Sequence, residues 1–281
     1  MSREAIDSLR VRRNFSRQAG EYDRYARVQK KVAGELIELI HKGDAVFGPA
    51  LDIGTGTGFA ARNLSRLMPE LPLVVSDIAH GMTAHAAEAL PKSFPVDADA
   101  QALPFRSNAF GLVFSSSVFQ WINDLEGVFA DAARILQPDG TFAFALYGRK
   151  TLRELRSAHR KALEEAGRSE SFYMHTFPDE QQVRSALEGA GFQVEQLFSV
   201  DEMERHADVA SLLQSLKKIG AKNAATSRPS GLPSRRIMLR LIDLYTSSYG
   251  EKDFIPATYH VIYVRARLGQ EEGQHPPTSF R

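Results

Sequence analysis

The stretch that most constrains the fold is Leu51–Gly58, LDIGTGTG. An apolar run (Val46, Phe47, Leu51, Ile53) meets a turn with glycine at positions 54, 56 and 58, and Phe59 to Met68 then reads as a helix. Glycines at such a strand-to-helix turn allow sharp reversal and let the backbone approach a ligand without a Cβ in the way. The nucleotide fingerprint G-x-G-x-x-G is absent; the spacing is G-x-G-x-G, and an acid, Asp52, precedes it. An acid there repels a pyrophosphate but pairs with a cationic amino group. The pattern therefore favours S-adenosylmethionine, which carries an α-ammonium group and no phosphate. The plain alternative is an ordinary strand–turn–helix link.

Further acids fall where such a cofactor needs them. A second strand, Leu73–Ser76, ends in Asp77, where a carboxylate can accept from both ribose hydroxyls, with Ile78 against the adenine. After a helix over Thr83–Leu90 and a short strand near Phe94–Val96, the loop from Asp97 offers Asp99, followed by Ala100, for the adenine amino group. Asp99 is preferred to Asp97, although either is also a normal turn or capping residue. Thr55, Met82 and Ser115 complete the expected cofactor set. Phe110–Phe114 reads as a fully buried strand, and Gln120 and Trp121 beyond it should face the site. Helix Leu125–Leu136 should end in Gln-Pro-Asp-Gly, a turn in which glycine supplies the positive φ, before the strand Thr141–Leu146 and Tyr147.

Residues 1–20 read as a basic mobile arm or short helix, and from Glu21 to Gly43 the apolar spacing is helical, with Tyr22 and Tyr25 placed to roof a site. Beyond Thr151 come charged amphipathic helices at Leu152–Ala166 and Pro178–Leu187, a strand Phe192–Phe198, and a last strand Tyr259–Arg267. The expected division is an arm and helix over 1–44, a cofactor-binding core over 45–205 and 251–268, a basic helical insertion over 206–250, and a disordered tail over 269–281. Overall this is an α/β chain: a Rossmann-like, mostly parallel seven-stranded sheet with helices on both faces and a helical insertion before the last strand.

Composition narrows the function. A net charge of +1 excludes a strongly basic nucleic-acid binder as a whole-chain character, and with no cysteine there are no disulfides, thiolate ligands or thiol nucleophiles. The histidines are scattered, so no metal site is expected. No apolar run nears the roughly 18 residues that span a bilayer, and the N-terminus lacks a signal-peptide core, so a cytoplasmic protein without membrane association is expected. One segment departs from the balance. From Val209 to Ile242 lie Lys217, Lys218, Lys222, Arg228, Arg235, Arg236 and Arg240, with no acid between them. Such a run suggests an anionic partner, the alternative being a basic surface without one. Nucleic acid is disfavoured because no aromatic precedes Tyr245 for base stacking.

The D-x-G-x-G-x-G turn, Asp77, the Asp-Ala-x-x-Leu-Pro-Phe loop and the Leu-x-Pro-x-Gly turn together resemble class I S-adenosylmethionine-dependent methyltransferases over about Ala45–Leu146. A narrower likeness runs nearly the length of the chain. Phe15-Ser-Arg-Gln-Ala-Gly-Glu-Tyr22, Phe119-Gln-Trp-Ile-Asn-Asp-Leu125, Thr151-Leu-Arg-Glu-Leu-Arg156, Ser215-Leu-Lys-Lys-Ile-Gly-Ala221 and Thr258-Tyr-His260 are similar to the malonyl-acyl-carrier-protein O-methyltransferases of biotin synthesis. That resemblance implies methylation of the free carboxylate of a malonyl thioester on carrier protein or coenzyme A. From their positions in the chain, Tyr22, Gln120, Trp121 and Tyr147 are expected to line the methyl-acceptor pocket, with Lys217, Tyr259 and His260 orienting the malonyl carboxylate or thioester. An acidic acyl-carrier protein would dock on the basic run together with Arg153 and Arg156. The alternatives are a quinone-ring C-methyltransferase and an assembly protein that keeps the fold without methyl transfer. A nicotinamide dehydrogenase fits least, because its glycine spacing differs.

Overall fold

The structure, a computed structural model, describes residues 6–168, 176–220 and 235–269. Seven strands form one sheet in the order β3-β2-β1-β4-β5-β7-β6. Strands β1 (Ala50–Ile53), β2 (Leu73–Asp77), β3 (Phe94–Asp97), β4 (Phe110–Ser116) and β5 (Leu136–Tyr147) run parallel. Strand β7 (Ile255–Leu268) runs antiparallel to β5 and to the edge strand β6 (Phe192–His206).

Strand alternation divides the core into two layers. Leu112, Phe114, Ala143 and Ala145 face α2 (Arg27–His41), α3 (Phe59–Leu67) and α6 (Arg153–Glu165). Val113, Phe142, Phe144 and Leu146 face α5 (Leu125–Ile135) and α7 (Glu180–Gly189). In the second layer Phe119, Phe129, Phe142 and Phe144 pack at centroid distances of 4.9–5.9 Å, mostly edge to face. Both faces being covered, the central strands are apolar over most of their length, with polar residues mainly toward their ends, which is why periodicity alone reads them as buried. The order reverses between β1 and β4, so a crevice opens at their C-terminal ends. Among the described residues no helix is long and apolar enough to cross a membrane.

Several sequence expectations change. The basic N-terminal stretch is a regular helix, α1 (Ser8–Tyr25), capped by Asp7, whose carboxylate accepts from the Arg10 N–H at 3.1 Å. Its apolar positions Val11 and Phe15 pack with Ile6 and Trp121, a narrow stripe that the surrounding arginines obscure in the sequence. The helix expected from Glu21 is instead two, α1 and α2, which meet at the buried Ala26 with ψ of 49°. Strands β6 and β7 run longer than expected, because their pairing continues from Val200↔Val261 to His206↔Ile255, past the ends that the sequence suggests. In the Gln-Pro-Asp-Gly turn the left-handed residue is Asp139, with φ of 61°, not Gly140. Glycine is needed at 140 for space, since a Cβ would lie 2.7 Å from the Gln137 carbonyl oxygen. Asp tolerates the left-handed region better than most side chains. Beyond β6 lie α8 (Val209–Lys218) and α9 (Arg235–Tyr249); Lys222, Arg228 and the tail from Gln270 fall outside the described residues.

Candidate active site

The crevice is lined where β1, β2, β3 and β4 end. Gly54, Gly56 and Gly58 all have positive φ (68°, 56° and 77°), so the turn requires all three as glycine. Their surroundings differ. A Cβ on Gly56 would meet no protein atom within 4 Å, leaving a bare backbone facing open space on the cavity wall. A Cβ on Gly54 would fall 2.3 Å from Val118. Gly58 lies beneath α3 against Ala86 of α4 (His80–Ala89) and lines no described cavity, so it serves helix packing.

Two carboxylates sit behind the turn. Asp77 accepts from the Gly56 N–H at 3.0 Å and the Ala79 N–H at 2.8 Å, and burial pushes its carboxyl up to about 6 despite those donors. Asp52 accepts from the Thr55 hydroxyl at 2.8 Å. Burial, against the Thr55 hydrogen bond and with the help of the Asp77 charge, raises Asp52 to about 7. Such a buried acid is costly to ionise alone and is well placed to meet a cation.

Three cavities adjoin here. The first holds Gly54, Gly56, Asp77, Ile78, Met82, Asp99 and Ala100. The third, toward α2, is lined by Asp52, Thr55, Gly56, Gln29 and Lys30. The donor set fits S-adenosylmethionine: a carboxylate for the ribose diol, apolar Ile78 and Met82 with Asp99 for adenine, and Asp52 for an ammonium group. Tyr22 lines all three cavities, while Phe15, Ser117 and Trp121 line the first and second, so the second opens from the cofactor crevice at these side chains.

The second cavity is largely apolar, with Leu152, Leu155, Leu213 and Leu216 around the aromatic pair Tyr147 and Tyr259, whose centroids lie 5.6 Å apart. Gln120 is buried and its amide donates to the Ser117 carbonyl at 2.6 Å. Tyr22, Tyr147 and Tyr259 have phenol pKa values raised chiefly by burial, which keeps them neutral donors. Lys217 lines the cavity yet is solvent-exposed, which puts it at the rim. No carboxylate or imidazole lies among the described lining residues; the Glu204 carboxylate stands behind Tyr259, 3.4 Å from its hydroxyl.

Besides Gly58, two expected site residues lie elsewhere. His260 follows Tyr259 on β7, so alternation sends it to the opposite face, against Gly148 and near the charges of Asp201 and Lys150. Ser115 is wholly buried and donates its hydroxyl to the Ile53 carbonyl at 2.7 Å, tying β4 to β1; Ser116 and Ser117 line the cavities instead. The basic run also differs from its sequence impression. Lys218 pairs with Glu21, Arg240 with Glu165 and Asp243, and Arg153 with Asp201. Arg156 is partly buried, donating to the Thr151 carbonyl at 3.0 Å with its guanidinium over Phe177. Arg235 and Arg236 are exposed on α9. Gln29, Lys30 and Ser117 were not singled out by sequence, since no local motif marks them.

Residues 51–144 match the family described as a methyltransferase domain. Over 92% of its length the chain is 41% identical to a malonyl-[acyl-carrier protein] O-methyltransferase of Geobacter sulfurreducens, covering 98% of that protein. It is 34% identical to the biotin biosynthesis bifunctional protein BioHC of Saccharophagus degradans, matching 91% of this chain and 46% of that one. Among solved structures, phosphoethanolamine N-methyltransferase 2 of Haemonchus contortus in complex with S-adenosyl-L-methionine shares the fold. Its TM-score is 0.50 at 20% identity, covering 84% of this chain and 52% of that one. The sheet is therefore the Rossmann-like sheet of class I methyltransferases, with S-adenosylmethionine as its cofactor.

Proposed function

This chain belongs to the malonyl-[acyl-carrier protein] O-methyltransferase family, and from that premise we propose that it methylates the free carboxylate of a malonyl thioester, the step that feeds the synthesis of biotin. The observation that carries the reading is the acceptor cavity: it adjoins the cofactor crevice at Tyr22 and Trp121 and has no carboxylate or imidazole among its described lining residues. A malonyl carboxylate is already ionised near pH 7 and needs no base, whereas a phenolic or quinol ring would. This favours the carboxylate over a quinone-ring acceptor.

S-adenosylmethionine supplies, when bound, a methyl group on a cationic sulfur with a neutral thioether as leaving group. A carboxylate oxygen would accept that methyl group in line, the C–S electron pair staying with the departing thioether, and the transfer would need no proton movement. Asp52 would hold the cofactor's ammonium group and Asp77 its ribose hydroxyls. The neutral donors Tyr22, Tyr147 and Gln120 would hold the malonyl carboxylate without neutralising it, while the leucine and tyrosine walls exclude water and leave the oxygen poorly solvated. Lys217 at the rim is placed for the anionic arm that carries the thioester.

The carrier itself would dock across α8 and α9, where Lys217, Arg235 and Arg236 are exposed. Reversing Arg235 and Arg236 together to glutamate is expected to raise the KM for malonyl-carrier protein on the order of 10-fold with kcat retained. A malonyl thioester on a short pantetheine mimic should be unaffected; an equal loss on the mimic would place those arginines outside docking. The chemical reading is tested with methyl-labelled cofactor and carrier loaded with either malonyl or acetyl groups. Label should appear on malonyl-carrier alone, and transfer to neither would remove the reading.

A further inference from the structure

We propose that Lys30 is the cationic anchor for the cofactor's amino-acid carboxylate. The inference deepens the cofactor assignment above and rests on it, independently of the acceptor. The tail of S-adenosylmethionine carries an ammonium and a carboxylate on one carbon. A site that desolvates it must present an acid and a cation on the same small cavity, or leave one charge unpaired. Two acids line the third cavity, Asp23 and Asp52; Asp23 is already met by Thr57 and Arg62, which leaves Asp52 for the ammonium, and Lys30 is the only lysine or arginine among the described residues that line either cofactor cavity.

The lysine is held for this role by contacts it can relax. Its ammonium donates to the Asp23 carbonyl oxygen at 2.7 Å, stands 3.7 Å from the Asp23 carboxylate and lies 5.6 Å from the Phe59 ring centroid. Asp23 does not depend on it. That carboxylate also accepts from the Thr57 hydroxyl at 2.7 Å and has the Arg62 guanidinium at 3.8 Å, so the ammonium can turn toward a ligand without stranding an acid. Lys30 comes from α2, outside the strand ends and loops that hold the rest of the cofactor. Asp23 belongs to α1, whose Phe15 and Tyr22 line the acceptor cavity. A carboxylate gripped by Lys30 would therefore sit at the joint between α1 and α2, next to the roof of the acceptor cavity.

The test compares two ligands by calorimetry: S-adenosylhomocysteine, which keeps the amino-acid tail, and 5′-methylthioadenosine, which keeps adenine and ribose but lacks it. Lys30→Met is expected to weaken S-adenosylhomocysteine on the order of 10- to 100-fold, the loss of one charge-assisted hydrogen bond, and to leave methylthioadenosine within about twofold. Lys30→Arg should restore most of the loss. Unchanged binding of S-adenosylhomocysteine by Lys30→Met would overturn the assignment. So would an equal loss for both ligands, which would make Lys30 a structural residue. A wild-type protein that bound neither ligand would overturn the cofactor assignment itself.

Discussion

Asp52→Asn is expected to abolish useful cofactor binding while making the empty protein more stable above neutral pH. Asp52 is 1% exposed, and burial holds its carboxyl at about 7, well above the 3.8 of an exposed aspartate. Because the folded value lies above the unfolded one, the group costs no stability below about pH 4. It costs progressively more as pH rises to about 7, and the full penalty applies beyond. Asparagine keeps an acceptor for the Thr55 hydroxyl and removes the ionisation. The variant should therefore match wild type in thermal unfolding near pH 4 and exceed it at pH 8, by on the order of 2–4 kcal/mol. Its affinity for S-adenosylhomocysteine should fall at least about 100-fold, the consequence of leaving a buried ammonium unpaired. Wild-type affinity should itself weaken as pH drops from about 8 to 6, since the ligand's cation binds the ionised acid. A variant less stable than wild type at pH 8, with affinity intact, would mean that Asp52 serves the turn and not the ligand.

Gly111→Ala should be the most damaging of the small substitutions. At the start of β4, a Cβ on residue 111 would lie 1.5 Å from the carbonyl oxygen of Phe47 and 2.5 Å from its carbon, both backbone atoms that no rotamer change can move aside. The Gly111 N–H also donates to the Pro49 carbonyl at 2.9 Å, just ahead of the pairing of Ala50 with Leu112. Relief requires displacing the entry to β1, and with it the glycine turn that this strand delivers. The expected cost is on the order of 3 kcal/mol or more, read as a lower urea midpoint with unchanged slope. An unfolding midpoint within error of wild type would contradict this packing.

What the sequence discloses and what it conceals divide along the reach of the signal. The glycine turn, Asp52, Asp77 and the Asp99–Ala100 loop are local patterns, readable because the acids and the turn lie in or just after short, mostly apolar strands. Phase along a strand is harder. Tyr259 and His260 were grouped by adjacency, yet adjacent residues on a strand face opposite sides, and only Tyr259 reaches the cavity. Ser115 and Ser116 follow the same rule, with only the latter on the cavity wall. Tertiary neighbours are harder still. The acid-free run from Val209 to Ile242 reads as strongly positive, but Glu21 from α1 and Glu165 from α6 reach Lys218 and Arg240. Lys30 looks like any solvated helix lysine until α2 is packed beside the glycine turn, and the α1 helix was hidden by arginines flanking a two-residue apolar stripe.

The most direct measurement is the chemistry of the transferred methyl group. Malonyl-carrier protein, treated with this enzyme and methyl-labelled S-adenosylmethionine, should carry label that mild base releases as methanol, the mark of a methyl ester on the malonyl carboxylate. Acetyl-carrier protein, identical but for that carboxylate, should take up none. Label that resists base, or that appears equally on acetyl-carrier protein, would place the methyl on another atom and contradict carboxylate methylation.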